Sequence, residues 1–183
     1  PATAFCAKVV DSNQGSDNKA DTLKLDKLYF MPIILDYQAT GDIPGEGTVL
    51  QGSFFNTQQV GSGQHVLREG GANNRLIRTY VFGNVPSGSS HTLYFQASRP
   101  DNADLDNFKF SFALPDQNGN PGSFTDISGA VISAPFPPGS VTSNAFGPAG
   151  MHGKVFIRIQ DTNGGTNLDT VNIVYLVIRT AEP

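Results

Sequence analysis

The 183-residue chain contains no tryptophan, one cysteine, two methionines and three histidines. Each shortage removes a class of chemistry. Cys6 alone can close no intrachain disulfide and build no cysteine metal cluster. It either packs as a small apolar side chain or bridges to another chain. His65, His91 and His152 stand apart, without metal-ligand spacing. Charged residues make up 15% of the chain, the formal net charge is −4, and there is no basic run. Nucleic acid and anionic membrane surfaces are therefore not expected partners. No apolar stretch approaches the roughly 18 residues that a bilayer-spanning helix needs, so membrane insertion is not expected. A GxSxG nucleophile elbow is absent, as is a glycine-rich phosphate loop ahead of a helix. Ser89 and Ser90 adjoin His91, but sequence neighbours do not make a catalytic triad. The expectation is a protein that is not an enzyme.

What the chain does have is turn chemistry and alternation. Gly (20) and Pro (12) are plentiful, and Asn, Ser and Thr fill the gaps between short apolar runs. Period-two alternation predicts strands at Val49–Phe55, Gln64–Arg68, Arg75–Phe82, Thr92–Ala97, Phe108–Ala113, Val155–Gln160 and Val171–Ile178. Phe108, Phe110 and Phe112 share one strand face and are expected in the core. Asn118–Gly119 is a strong hairpin turn signal. No helical period is sustained. The expected fold is all-β: an antiparallel β-sandwich of jelly-roll type with an extra N-terminal hairpin.

That extra hairpin comes from an internal repeat. "FCAKVVDSNQGSDNKADTLKLDKLYF" near the start aligns with "VFIRIQDTNGGTNLDTVNIVYLVI" near the end. Asp11, Ser12 and Asn13 match Asp161, Thr162 and Asn163. Asp21–Thr22 matches Asp169–Thr170, and Leu23, Leu25 and Leu28 match Val171, Ile173 and Leu176. The domain reading is a hairpin over 1–32, a linker strand and turn over 33–46, and the sandwich over 47–183. A lone hairpin is marginal in water. The first copy must join the sheet of its own domain or complete another subunit's sheet by strand addition, which builds rings or filaments. Phe5, Cys6, Val9, Leu23 and Leu25 are the candidate assembly residues. Cys6 aligns with Phe156 and lies on the strand face opposite Phe5, Ala7 and Val9.

Two kinds of ligand suit these residues. Calcium takes six to eight oxygens from carboxylates, carbonyls and amides, which Asp/Asn/Gly loops supply. Asp11, Asn13, Asp17 and Asp21 fit that need in the first loop, and Asp161, Asn163 and Asp169 in the last. Asp101, Asp104 and Asp106 add a third acidic loop. Neither repeat loop matches the EF-hand pattern, and Asp and Asn also serve simply as turn and cap residues. Sugar is the second kind, because an aromatic ring offers an apolar face with oriented hydrogen-bonding groups nearby. Without tryptophan the rings available are Tyr37, Tyr80, Tyr94 and Tyr175, with Phe136 and Phe146 in loops.

"GKVFIRIQDTNGGTNLDTVNIVYLVIRT" resembles the ending of a β-sandwich module repeated in large secreted and surface proteins of bacteria. That ending commonly runs "VxIRVxDTD" and then "LDTVYVDHLYIR". "GTVLQGSFFNTQQ", "RTYVFGNVPSGSSHTLYFQASRP" and "DNFKFSFAL" look like its opening strand, central hairpin and "DNFxFxYS" strand. The similarity runs from about Gly47 to Thr180. This chain departs from the pattern at Asn163 and at Val174–Tyr175, where the module has acid and Asp–His. The first copy keeps that acid as Asp26 but has Lys27 in place of the His. The resemblance implies a non-catalytic module that stands beside carbohydrate-active or adhesive domains. The expectation is an extracellular or cell-surface structural and adhesive module. It would self-associate through its N-terminal hairpin and be stiffened by calcium. A carbohydrate-binding module is the alternative.

Overall fold

The computed structural model describes residues 35–100, 107–133, 141–163 and 167–181. The N-terminal hairpin, with Phe5, Cys6, Val9, Leu23 and Leu25, lies outside the described residues, as do Asp11, Asn13, Asp17, Asp21, Asp101, Asp104, Asp106 and Phe136.

In chain order the strands are β1 (Leu35–Gln38), β2 (Gly41–Pro44), β3 (Thr48–Gln51), β4 (His65–Arg68), β5 (Ile77–Val85), β6 (Ser90–Ser98), β7 (Phe108–Ala113), β8 (Thr125–Ile132), β9 (Thr142–Phe146), β10 (Gly153–Asp161) and β11 (Thr170–Ala181). They form two antiparallel sheets, making an all-β sandwich of jelly-roll type. One sheet runs β3-β4-β11-β6-β9, with β1 also paired to β11. The other runs β2-β5-β10-β7-β8. Residues 35–44 thus supply one strand to each sheet. β11 is the organising strand of the first sheet: β4 pairs with its start, β1 with its end on the same side, and β6 along the opposite side.

The core forms where the alternating apolar faces meet. Phe95 of β6 and Phe110 of β7 pack across the sandwich with ring centroids 4.6 Å apart. Phe112 and Phe146 do the same at 5.3 Å. Phe108 and Phe110 are fully buried and Phe112 packs against the core, as the alternation of "FKFSF" requires.

β11 departs from strict alternation, and the departure shapes the molecule. Val171, Ile173, Leu176 and Ile178 all face the core, at spacings of two, three and two. The pairing register with β6 slips between Ile173 and Tyr175, so Val174 is an extra residue in a β-bulge. Past the bulge the phase is inverted. Tyr175, Val177 and Arg179 therefore point away from the core, on the outer face.

The expected strand Val49–Phe55 ends early, because the chain leaves β3 at Gly52. That residue has φ +70, and a Cβ there would sit 2.2 Å from the Gln64 carbonyl oxygen, so only glycine fits. A 3-10 turn over Phe54–Thr57 follows. Asn56 organises the loop: its Oδ1 accepts from the Ser53 amide at 2.9 Å and its Nδ2 donates to the Ser62 carbonyl at 2.8 Å. Gln38 of β1 donates to the Gln58 carbonyl at 3.2 Å, and Gln58 donates to the Ala39 carbonyl at 2.7 Å, which ties this loop to β1.

Candidate functional site

The outer face of the β11 sheet carries the most distinctive side-chain cluster among the described residues. Register places Asp36 of β1 opposite Arg179 of β11, and Arg179 opposite Thr92 of β6. Arg179 donates Nε–H to Asp36 Oδ1 at 2.6 Å and an Nη2 hydrogen to Oδ2 at 3.0 Å. This is a bidentate fork, the strong form of the Arg–carboxylate pair. The Tyr175 hydroxyl donates to the same Oδ2 at 2.8 Å. On its other side the guanidinium lies over the Tyr94 ring, 4.1 Å from the centroid, a cation–π distance. Both tyrosine rings are partly exposed.

Each member shifts the others' proton affinity. The Arg179 hydrogen bonds hold the Asp36 carboxyl below its ordinary range, burial opposes them, and Tyr175 adds to the lowering. The hydrogen bond to Asp36 raises Arg179 further. Burial, then the Asp36 carboxylate, pushes the Tyr175 phenol up to about 12. Around the cluster, the outward positions of β1, β11, β6 and β9 are uncharged: Gln38, Asn172, Thr92, Gln96, Ser98, Ser143, Ala145 and Val177, the last fully buried; on the adjoining β4, exposed Arg68 lies opposite Thr170, in phase with Asn172. Tyr94 and Tyr175 make the face aromatic in part, among amides and hydroxyls.

Three of the calcium candidates, Asp161, Asn163 and Asp169, fall among the described residues. Asp161 is buried; its Oδ1 accepts from the Leu76 amide at 3.1 Å and its Oδ2 lies 3.8 Å from Arg75 Nε. Asp169 is buried too. Its amide donates to Glu69 Oε2 at 2.9 Å, and its carbonyl accepts from the Glu69 amide at 3.0 Å. Asp161 through its carboxylate and Asp169 through its main chain thus fasten the end of β10 and the start of β11 to the residues flanking β5 and β4. Asn163 is exposed. Among the described residues, no group of three or more His, Cys, Asp or Glu is placed to hold a metal ion.

The aromatic candidates divide by strand phase. Tyr94 lies on the outer face, where Tyr175 joins it. Tyr80 shares its phase with Phe82 and is 0% exposed, its hydroxyl 2.9 Å from His65 Nδ1. It presents no ring to a ligand. Phe146, read as a loop residue, ends β9 and is buried against Phe112. Tyr37 packs against the core. Sequence reasoning missed Asp36 and Arg179. The signal that could have found Arg179 is the two-three-two spacing of Val171, Ile173, Leu176 and Ile178, which marks the bulge and hence the outward phase.

The chain matches no protein-family model and no curated protein sequence. Among solved structures it is similar to the CBM22-1 xylan-binding domain from Paenibacillus barcinonensis Xyn10C, at 10% identity and TM-score 0.48, over 85% of this chain and 99% of that one. It is similar to the CBM22-1–GH10 modules of a Clostridium thermocellum endo-1,4-β-D-xylanase at 9% identity and TM-score 0.49, over 82% of this chain. It is also similar to the enzymatically active domain of bacteriophage CBA120 tailspike protein 4 at 17% identity and TM-score 0.43, over 75% of this chain. The chain spans 29% of that xylanase structure and 18% of the tailspike. Likenesses this loose assign no function, which has to come from the chain's own side chains.

Proposed function

We propose that this chain is a non-catalytic, extracellular module that binds glycan on the outer face of the sheet formed by β1, β11, β6 and β9. The observation that carries the reading is the Tyr94–Arg179–Asp36–Tyr175 cluster. Sugar recognition needs planar surface for the C–H face of a ring, and fixed polar groups at its edge. The partly exposed Tyr94 and Tyr175 rings, with the guanidinium lying over Tyr94, supply such surface. Asp36 locks the guanidinium and the Tyr175 hydroxyl in place, so little rotamer freedom is lost when a ligand arrives. Gln96, Asn172 and Thr92 add donors and acceptors on the same face. Glycoside hydrolysis commonly uses two carboxyl groups flanking the bond. On these four strands the face offers one, already ion-paired, which favours binding over cleavage.

Titration calorimetry with a panel of soluble polysaccharides tests this. Saturable binding that weakens about tenfold or more in Tyr94→Ala and Tyr175→Ala, a loss of at least about 1.4 kcal/mol, supports it. No saturable binding to any glycan overturns it. Strand-donor assembly and calcium at the acidic loops remain part of the proposal on the strength of the duplicated hairpin and ligand chemistry alone. Concentration-dependent polymers in negative stain, lost on removal of 1–32, would support the first. A melting midpoint lowered by chelator and restored by calcium would support the second.

A further inference from the structure

The charge arrangement on this face narrows the ligand. Outward positions of β1, β11, β6 and β9 carry two charged side chains, Asp36 and Arg179, and these neutralise each other in a bidentate fork. The Nε–Nη2 edge of the guanidinium, one of the two that can grip a carboxylate or sulfate, is already occupied by Asp36, and one face of the group lies over Tyr94. An acidic sugar brought here would have to displace Asp36 from Arg179 or lie beside an ionised carboxylate, and either is unfavourable. The remaining polar groups on these four strands are neutral amides, hydroxyls and phenols, and the nearest other cation on the sheet's outer face is Arg68 of β4, beside the start of β11. The neutral groups suit sugar hydroxyls, which donate and accept equally. The chain as a whole carries a net charge of −4 and gives an anionic polymer no long-range attraction.

We infer that the face selects neutral glycans and rejects uronate- or sulfate-bearing ones, with Asp36 as the specificity-determining residue. This rests on the glycan-binding reading above. Asp36 acts by filling the fork of Arg179, and its removal opens an anion site.

The test compares neutral cello-, xylo-, manno- and galacto-oligosaccharides with oligogalacturonate of matched length, on the intact chain. The expected result is binding of at least one neutral series, unchanged between low and high salt, with oligogalacturonate weaker by about tenfold or more. In Asp36→Asn, which keeps the side-chain shape but frees the guanidinium, oligogalacturonate should gain affinity and its binding should weaken with salt. If that variant folds poorly, the comparison on the unaltered chain still decides. Oligogalacturonate binding as tight as the neutral series would overturn the selectivity while leaving glycan binding intact. Failure of every oligosaccharide to bind would overturn glycan binding itself, and the selectivity with it.

Discussion

His65 is a buried imidazole with one partner at Nδ1, the Tyr80 hydroxyl, and an Nε2 that has none. Arg78 and its ion-pair partner Asp42 act on it from the neighbouring sheet. Burial, then the positive charge of Arg78, lowers its pKa from 6.5 to about 4. The folded protein therefore keeps it neutral where the unfolded chain takes up a proton. That stability is fully present above pH 6.5 and is lost as pH falls from 6.5 towards 4. Each tenfold difference in proton affinity between the folded and unfolded chain is worth about 1.4 kcal/mol, so the loss should be visible in melting curves. Thermal melts across this range should show a falling midpoint, with a shallower fall in His65→Gln; an equal fall in both would contradict it. The outer-face cluster should behave differently. Asp36 titrates below the ordinary carboxylate range, Tyr175 near 12 and Arg179 higher still, so glycan affinity should be flat from about pH 6.5 to 10. A bell-shaped affinity profile there would rule out this cluster as the contact. Asp161 makes a third case. Asp161→Ala leaves the Leu76 amide without its buried acceptor, and should cost about 1–3 kcal/mol in denaturant unfolding, in chelator as well as in calcium. A cost seen only with calcium present would make Asp161 a metal ligand instead.

The strands differ in how openly they announced themselves. β4 to β7, β10 and β11 were readable because both sheets bury one face and leave an alternating trace. "FKFSF" and "VFIRIQ" show it plainly. β8 and β9 were not readable. β8 carries Gly129 at φ +75 in its middle and a register slip against β7, which breaks the alternation. β9, "TSNAF", is a polar edge strand with few core contacts to mark it. The face that matters was half-legible. Tyr94 stands in clean alternation, whereas Tyr175 and Arg179 reach it only because the bulge at Val174 inverts the phase, and Asp36 only because a short edge strand pairs with the end of β11. Deleting Val174 tests that logic. Without it, either Val171 and Ile173 or Leu176 and Ile178 must turn outward. A loss of soluble folded protein, or a midpoint lowered by many degrees, is expected in thermal melts. An unchanged midpoint would mean that the bulge does not set the phase of β11.

The two sheets together make a core that is rich in phenylalanine and dominated by non-local pairing. Phe110→Ala should cost about 3–5 kcal/mol in denaturant unfolding, since its ring fills the space against Phe95 across the sandwich. A cost below about 1 kcal/mol would mean that this contact does not hold the sheets together. The face proposed to bind glycan is the reverse side of β11 and β6: the residues that alternate inward build the sandwich, and those that alternate outward present the rings, the ion pair and the amides. The most direct measurement is calorimetric titration of neutral oligosaccharides into the unaltered chain and into the Tyr94→Ala, Tyr175→Ala double variant, with thermal melts to confirm that both are folded. Saturable binding by the unaltered chain, abolished in a variant that still melts cooperatively, is the predicted result. Equal binding by both, or binding by neither, would contradict the account.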